Sequence, residues 1–129
     1  MSLRGIGIDI GSIPRIAALE ERYGQRFVRR WFDASEFAEP PGSSPLQLAS
    51  RFSAKEAVWK SLRIEGDTPL PWRRIIITPQ TSSGVLSVRL EGDLARVAAA
   101  LRIGPIRVTT MVLGDVVIAI AVAEEADRQ

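Results

Sequence analysis

The sequence predicts a small single α+β domain, and three observations support this. Its 129 residues suit one domain with one hydrophobic core. Residues 51–61 contain neither glycine nor proline, so they favour a long helix near the middle of the chain. Strand-like segments follow that helix in two predicted hairpins. These hairpins pair residues 73–79 with 85–91 and residues 106–113 with 116–123 across Gly114-Asp115.

Composition excludes several classes of function. The chain has 17 basic and 15 acidic side chains, and this net charge of +2 does not by itself support nucleic-acid binding. It has no cysteine, which excludes disulfides and thiolate chemistry, and no histidine, which excludes a histidine general base. We find no apolar run long enough for a membrane span and no signal peptide, so we expect a cytoplasmic protein that does not bind membranes.

The first predicted strand, residues 4–10, places one carboxylate in an apolar segment. Three isoleucines alternate with Gly5, Gly7 and Asp9. We expect the isoleucines to face the core and the glycines to leave the other face open to a ligand or another backbone. Burying Asp9 is costly unless a partner or a metal compensates its charge. The alternative is an edge strand in which Asp9 bonds to neighbouring backbone.

Two short helices rich in arginine follow. Ser12 is the expected N-cap of the first helix, Gly24 its end, and residues 25–32 form the second. The arginines on these helices predict a docking surface for an acidic partner, which would act mainly on association rate and selectivity. The alternative is a solvated helix face. The arginines assigned to docking are Arg15, Arg22, Arg26 and Arg29.

The central helix carries the other candidate residues. At 100° per residue, Phe52, Glu56, Lys60 and Arg63 lie close to one line. Taken alone, Glu56 and Lys60 could be a surface pair worth about 0.3–0.5 kcal/mol. Asp9 supplies a second carboxylate and favours a functional site instead. Lys55 and Glu56 project from the helix about 100° apart, so we expect Lys55 to be structural or peripheral.

Two motifs carry a family resemblance. GIGIDI (residues 5–10) followed by RFSAKEAVWKS (residues 51–61) resembles the signature pair of the phosphopantetheinyl transferases, in particular the small bacterial holo-[acyl-carrier-protein] synthase type. The resemblance implies a mostly antiparallel sheet packed on the long central helix, with residues 1–129 as one transferase domain. It also implies transfer of 4′-phosphopantetheine from coenzyme A to a serine of an apo acyl carrier protein, with release of 3′,5′-ADP. Such enzymes work in fatty acid biosynthesis as cytoplasmic homotrimers.

The same resemblance assigns roles to residues. Asp9 and Glu56 match the family's metal ligands and would hold Mg²⁺, a cation that takes oxygen ligands. Glu56 and Lys60 would be catalytic, with Lys60 on a phosphate oxygen or the leaving group. The base that deprotonates the carrier serine would be Glu56 or a metal-bound water. Coenzyme A would be bound by Arg51, Lys60, Ser61 and Arg107, and the acidic carrier by the docking arginines.

The chain departs from the family pattern at two places. Residues 62–67, Leu-Arg-Ile-Glu-Gly-Asp, contain one glycine where the family has a glycine-rich turn. Arg107 stands where the family has a histidine associated with the coenzyme's phosphates, and an arginine could bind phosphate bidentately. These changes leave open a degenerate homologue that binds coenzyme A or a carrier without efficient transfer. A further alternative is a small α+β binding module whose arginines dock an acidic protein or a nucleic acid.

Overall fold

A long helix packed on an antiparallel sheet organises the chain. The computed structural model describes residues 2–37, 44–66, 71–79 and 86–127. The strands are β1 (Leu3–Ser12), β2 (Ile75–Pro79), β3 (Leu86–Leu90), β4 (Ile103–Leu113) and β5 (Val116–Glu125). The helices are α1 (Ile13–Tyr23), α2 (Gln25–Trp31), α3 (Pro45–Leu62) and α4 (Gly92–Ala100). One antiparallel sheet has the order β1-β5-β4 and the other pairs β2 with β3, which confirms the predicted fold class.

The central helix α3 has well-defined ends. Ser44 accepts a hydrogen bond from the Gln47 backbone, and the Gln47 side chain accepts one from the Ser44 backbone. This reciprocal capping satisfies two N–H groups that the first helical turn leaves free. At the other end Arg63 adopts a left-handed conformation with φ of 53°. The Arg4 guanidinium donates to the carbonyl of Leu62 at 3.1 Å, so a side chain from β1 closes the helix.

The orientation of β1 is the reverse of the expected one. Ile6, Ile8 and Ile10 are 55%, 54% and 69% exposed, whereas Gly5 and Gly7 face α3. A Cβ atom at Gly7 would overlap the backbone carbonyl of Ala57. The glycines are therefore needed for close packing of the helix on the strand, and the larger isoleucines lie on the far side of the sheet.

The central strand β5 has one covered face and one open face. Val117, Ala119, Ala121 and Ala123 are fully buried beneath α3. On the other face Ile120 is 41% exposed. Within this one chain, α3 covers one face of β5 and leaves the other face open. We call the open side the outer face. Its exposed apolar side chains include Ile6, Ile8, Ile10, Met111 and Ile120.

Smaller elements match the predictions with some shifts. Helix α1 begins after Ser12 and ends at Gly24, as predicted. Helix α4 begins after Glu91, and Val97 on this helix is 40% exposed. The predicted pairing of β2 with β3 is confirmed, and residues 80–85 between these strands lie outside the described residues.

We predict that Gly7→Ala destabilises the protein by about 3 kcal/mol, at the upper end of overpacking costs, because the added methyl meets helix backbone that cannot rotate away. Gly114→Ala is the control, since a Cβ there meets nothing within 4 Å. Its cost of about 1 kcal/mol comes only from the left-handed backbone. Urea denaturation measures both values, and equal losses would contradict the close-packing interpretation.

Candidate active site

Two carboxylates meet where β1 lies against α3. Asp9 projects from the same face of β1 as Gly5 and Gly7, and its side chain is 10% exposed. Glu56 lies on the adjacent side of α3, close enough to share a hydrogen bond with Asp9. Partial burial raises the pKa of Glu56 to about 7, and the hydrogen bond with Asp9 and the Asp9 charge act in the same direction. The two acids therefore share one site.

Lys60 completes the cluster from one turn further along α3. Its ammonium donates to the carbonyl of Ile8 at 2.9 Å and lies 3.3 Å from Oδ1 of Asp9. The side chain remains 52% exposed, so it can turn towards a bound anion without leaving the site. Asp9, Glu56 and Lys60, predicted as a functional group from distant parts of the sequence, are therefore brought together.

The chemistry of this cluster suits a hard divalent cation. Two carboxylates offer oxygen ligands, which Mg²⁺ prefers, and Mg²⁺ sites commonly combine one or two carboxylates with substrate phosphate oxygens and water. No group of three or more metal-ligating side chains occurs within the parts of the chain described above. Asp9 and Glu56 thus fit a cation that shares its coordination with a substrate better than a closed structural metal site.

A groove of about 760 Å³ extends from the carboxylates across α1 and α2. Its apolar floor includes Leu19, Phe27, Trp31 and Phe52. Arginines surround this floor, so the groove combines apolar surface with positive charge. We call it the arginine groove. The arginines that line it are Arg15, Arg26 and Arg30.

The arginine groove includes only part of the docking set predicted from sequence. Arg15 and Arg26 line it, whereas Arg22 lies over the Tyr23 ring at 5.3 Å and neither Arg22 nor Arg29 is part of the lining. Arg30 does line the groove and was missed. Its spacing of four residues from Arg26 was the available signal, because residues four apart share a helix face.

The other predicted coenzyme ligands lie away from the carboxylates. Arg51 donates to the backbone carbonyls of Glu36 and Ile77. Ser61 is fully buried and donates to the carbonyl of Val58 at 2.6 Å. Arg107 lies exposed on β4, 3.7 Å from Glu124, in register with Val122 on the outer face.

These placements leave the coenzyme roles of Arg51, Ser61 and Arg107 as predictions. Lys60 alone of the four predicted coenzyme ligands joins the cluster of Asp9 and Glu56.

The part of the chain that the structure describes contains no helix long and apolar enough to cross a bilayer.

Comparison with known proteins identifies the family of this chain. Residues 5–121 match the family model of the 4′-phosphopantetheinyl transferase superfamily. The holo-[acyl-carrier-protein] synthase of Burkholderia lata is 36% identical over 96% of this chain and 91% of its own length. The crystal structure of the Neisseria meningitidis holo-[acyl-carrier-protein] synthase superimposes with a TM-score of 0.84 at 30% identity, over 95% of this chain and 99% of that one.

A structure with its ligand bound gives a third comparison. The complex of the Chronobacterium ammoniagenes ACPS with CoA has a TM-score of 0.74 at 25% identity, over 95% of this chain and 98% of that one. The region that matches the family model contains residues 5–12 of β1, all of α3 and the whole carboxylate cluster. With this fold, this cluster and these relatives, the chain belongs to the 4′-phosphopantetheinyl transferase superfamily.

Proposed function

We propose that this protein transfers the 4′-phosphopantetheine group of coenzyme A to a serine hydroxyl of an apo acyl carrier protein and releases 3′,5′-ADP. The observation that carries the proposal is the cluster of Asp9, Glu56 and Lys60 at one end of the arginine groove. A family relative whose name states this activity matches nearly the whole chain. The groove then lies where the carrier would approach the reacting phosphate.

The transfer breaks a bond in the diphosphate of coenzyme A, so the site must neutralise growing negative charge on the leaving phosphate. We assign Asp9 and Glu56 as the residues that hold Mg²⁺, which when bound would supply part of that neutralisation. Lys60 adds a positive charge, and because its side chain is half exposed, the ammonium is free to exchange its present contacts for a phosphate oxygen.

The serine of the carrier must lose its proton. The sequence has no histidine, and the carboxylates at this end of the groove are Asp9 and Glu56. Asp9 faces the Lys60 ammonium, whereas Glu56 lines the groove from which the serine would approach. Glu56 is therefore the side chain placed to accept the proton, and water held at the metal site is the alternative acceptor.

The arginine groove suits an acidic helical partner. An amphipathic helix can lay apolar side chains on the floor while its acids meet Arg15, Arg26 and Arg30 on the rim. Rim charges of this kind raise association rates and suppress wrong partners, and salt screens them. This supports an acyl carrier protein as the acceptor.

The proposal extends to a homotrimer of single-domain subunits in the cytoplasm, serving fatty acid biosynthesis, as the family resemblance implies. The outer face supports association, because a contiguous apolar surface on a sheet marks an interface. Arg107 lies on this face. Subunit contact there would bring Arg107 to a neighbouring chain, where it could serve that chain's coenzyme site.

The turn after α3, which contains one glycine where the family has a glycine-rich turn, favours a weaker activity. Arg63 occupies the left-handed position directly after α3, where glycine is the usual residue, and lines a separate cavity with Ile64 and Glu65. A degenerate homologue that binds coenzyme A without efficient transfer is therefore the second candidate. The intact cluster of Asp9, Glu56 and Lys60 supports the active enzyme.

The deciding experiment is mass spectrometry of an apo acyl carrier protein incubated with this protein, coenzyme A and Mg²⁺. We expect the carrier to gain one phosphopantetheine, and Asp9→Ala and Glu56→Gln to reduce the rate by at least about 100-fold, as loss of metal or base contacts does. Asp93→Asn, an exposed acid on α4, is the matched control with full activity. Coenzyme binding without transfer to several carriers would select the degenerate homologue.

The raised pKa of Glu56 predicts a pH dependence of metal binding. Below pH 7 a cation must displace the proton that Glu56 holds, so affinity should rise by about tenfold per pH unit up to pH 7 and then level off. Titration of Mn²⁺ alone, followed by electron paramagnetic resonance at pH 5.5–8.5, measures this dependence. Glu56→Gln should flatten the profile, and a flat profile in the wild type would contradict the shared carboxylate site.

Adjacent arginines on α2 give a matched test of docking. We expect Arg30→Ala to raise KM for the carrier by about fivefold, the effect of losing about 1 kcal/mol of attraction, because Arg30 lines the groove. Arg29→Ala should change KM by less than about twofold, since exposed charges outside an interface contribute little. Steady-state kinetics at low and high salt compare the two, and equal effects would argue against docking in this groove.

A further inference from the structure

A second charged cluster lies inside the protein, outside the arginine groove. Lys55 donates from its ammonium to Oε2 of Glu36 at 2.7 Å, to the carbonyl of Trp72 at 2.7 Å and to the carbonyl of Ile75 at 2.8 Å. Lys55 and Glu36 are 1% and 2% exposed. All three N–H bonds of the ammonium are used, so Lys55 has no freedom to act on a substrate.

Both carboxylate oxygens of Glu36 accept hydrogen bonds. It ends a short 3₁₀ turn, Ala34–Glu36, that follows α2. Its Oε2 also accepts from the Asp33 backbone at 2.7 Å, and its Oε1 accepts from the Ile77 backbone at 3.2 Å. The ion pair therefore joins the middle of α3 to the chain leaving α2 and to β2.

A contribution to the stability of the fold explains this buried ion pair poorly. Burial raises the pKa of Glu36 and lowers the pKa of Lys55, in both cases because desolvation outweighs the attraction between them. Buried ion pairs can often be exchanged for apolar residues with little loss of stability. A fully satisfied polar network does impose a unique geometry on the elements that it joins.

The network lies directly behind the floor of the arginine groove. The Lys55 ammonium is 5.1 Å from the centre of the Phe32 ring, and Phe32 packs edge-on against Phe27 at 6.4 Å. Trp72, whose carbonyl Lys55 binds, packs against Trp31 with the two rings tilted and their centres 5.2 Å apart. Phe27 and Trp31 belong to the groove lining, so two short contact paths connect Lys55 to the floor.

We propose that Lys55 and Glu36 form a positioning pair that holds the aromatic floor of the arginine groove, and with it Arg26 and Arg30 of α2, in a fixed place relative to Glu56. This rests on the proposed function, since the groove is assigned there to the carrier. Because Lys55 and Glu56 are adjacent on α3, the pair links the docking surface directly to the helix that carries the reactive carboxylate. Loss of the pair should therefore impair carrier recognition and spare coenzyme binding.

The test is the double variant Glu36→Gln/Lys55→Met, which removes both charges and keeps an amide near the Asp33 and Ile77 backbones. We expect KM for the carrier to rise by about tenfold, while kcat at saturating carrier and the Kd of coenzyme A with Mg²⁺ stay within about twofold. A folded double variant with unchanged KM, or one whose coenzyme affinity falls in step, would overturn the proposal.

A control separates positioning from loss of stability. Leu94→Ala opens a cavity under α4, away from the groove lining, and should lower stability without changing KM. Phe32→Leu keeps both charges and interrupts one contact path, so it should raise KM by about threefold even if the double variant does not fold. If Phe32→Leu and the double variant change KM no more than Leu94→Ala does, that result would count against the positioning pair.

Hydrogen exchange gives a readout that does not depend on transfer. Amides of α2 should exchange faster in the double variant or in Phe32→Leu than in Leu94→Ala, because only the first two loosen the contact between α2 and α3. If the wild type transfers nothing to any carrier, the proposed function fails, and this comparison still judges the positioning pair. Equal exchange rates in α2 would overturn it.

Discussion

The carboxylate cluster depends on how closely the backbone of β1 approaches α3. Side chains larger than hydrogen at Gly5 and Gly7 would overlap the carbonyls of Ser61 and Ala57. This close contact brings Asp9, a short side chain on the same strand face, next to Glu56 on the helix. The glycines therefore contribute to the chemistry without carrying a reactive group, because they set the distance between the two acids.

The same close contact determines which side chains lie on the other face of the sheet. If small residues face the helix, the isoleucines of β1 must face away, and they join Met111 and Ile120 on an open apolar surface. Alternation predicted the strand itself, since period two is a strong signal. The direction of each face could not be predicted that way, because hydrophobicity favours burying isoleucine and the opposing requirement, backbone proximity to α3, involves residues about fifty positions away.

Sequence reasoning worked best where chemistry and spacing coincide. Asp9 was identifiable because a carboxylate in an apolar strand needs an explanation. Glu56 and Lys60 were identifiable because an acid and a base lie on the same side of one helix. Arg30 was left out in favour of Arg29, because residues three and four positions after Arg26 share its helix face and the sequence alone does not choose between them. The partner of Lys55 was equally hidden, because nothing local links it to Glu36, nineteen residues earlier.

The two lysines of α3 differ in their freedom to move because they occupy different positions on the helix. Lys55 is enclosed by three acceptors and cannot leave them without exposing unsatisfied charge, so it can only fix geometry. Lys60 has a single carboxylate and one carbonyl beside it and remains half exposed, so it can exchange these contacts for a phosphate oxygen. Glu56 lies between them in sequence and ends the groove. Under the proposed function, the buried side of the helix would place the carrier protein and the exposed side would act on coenzyme A.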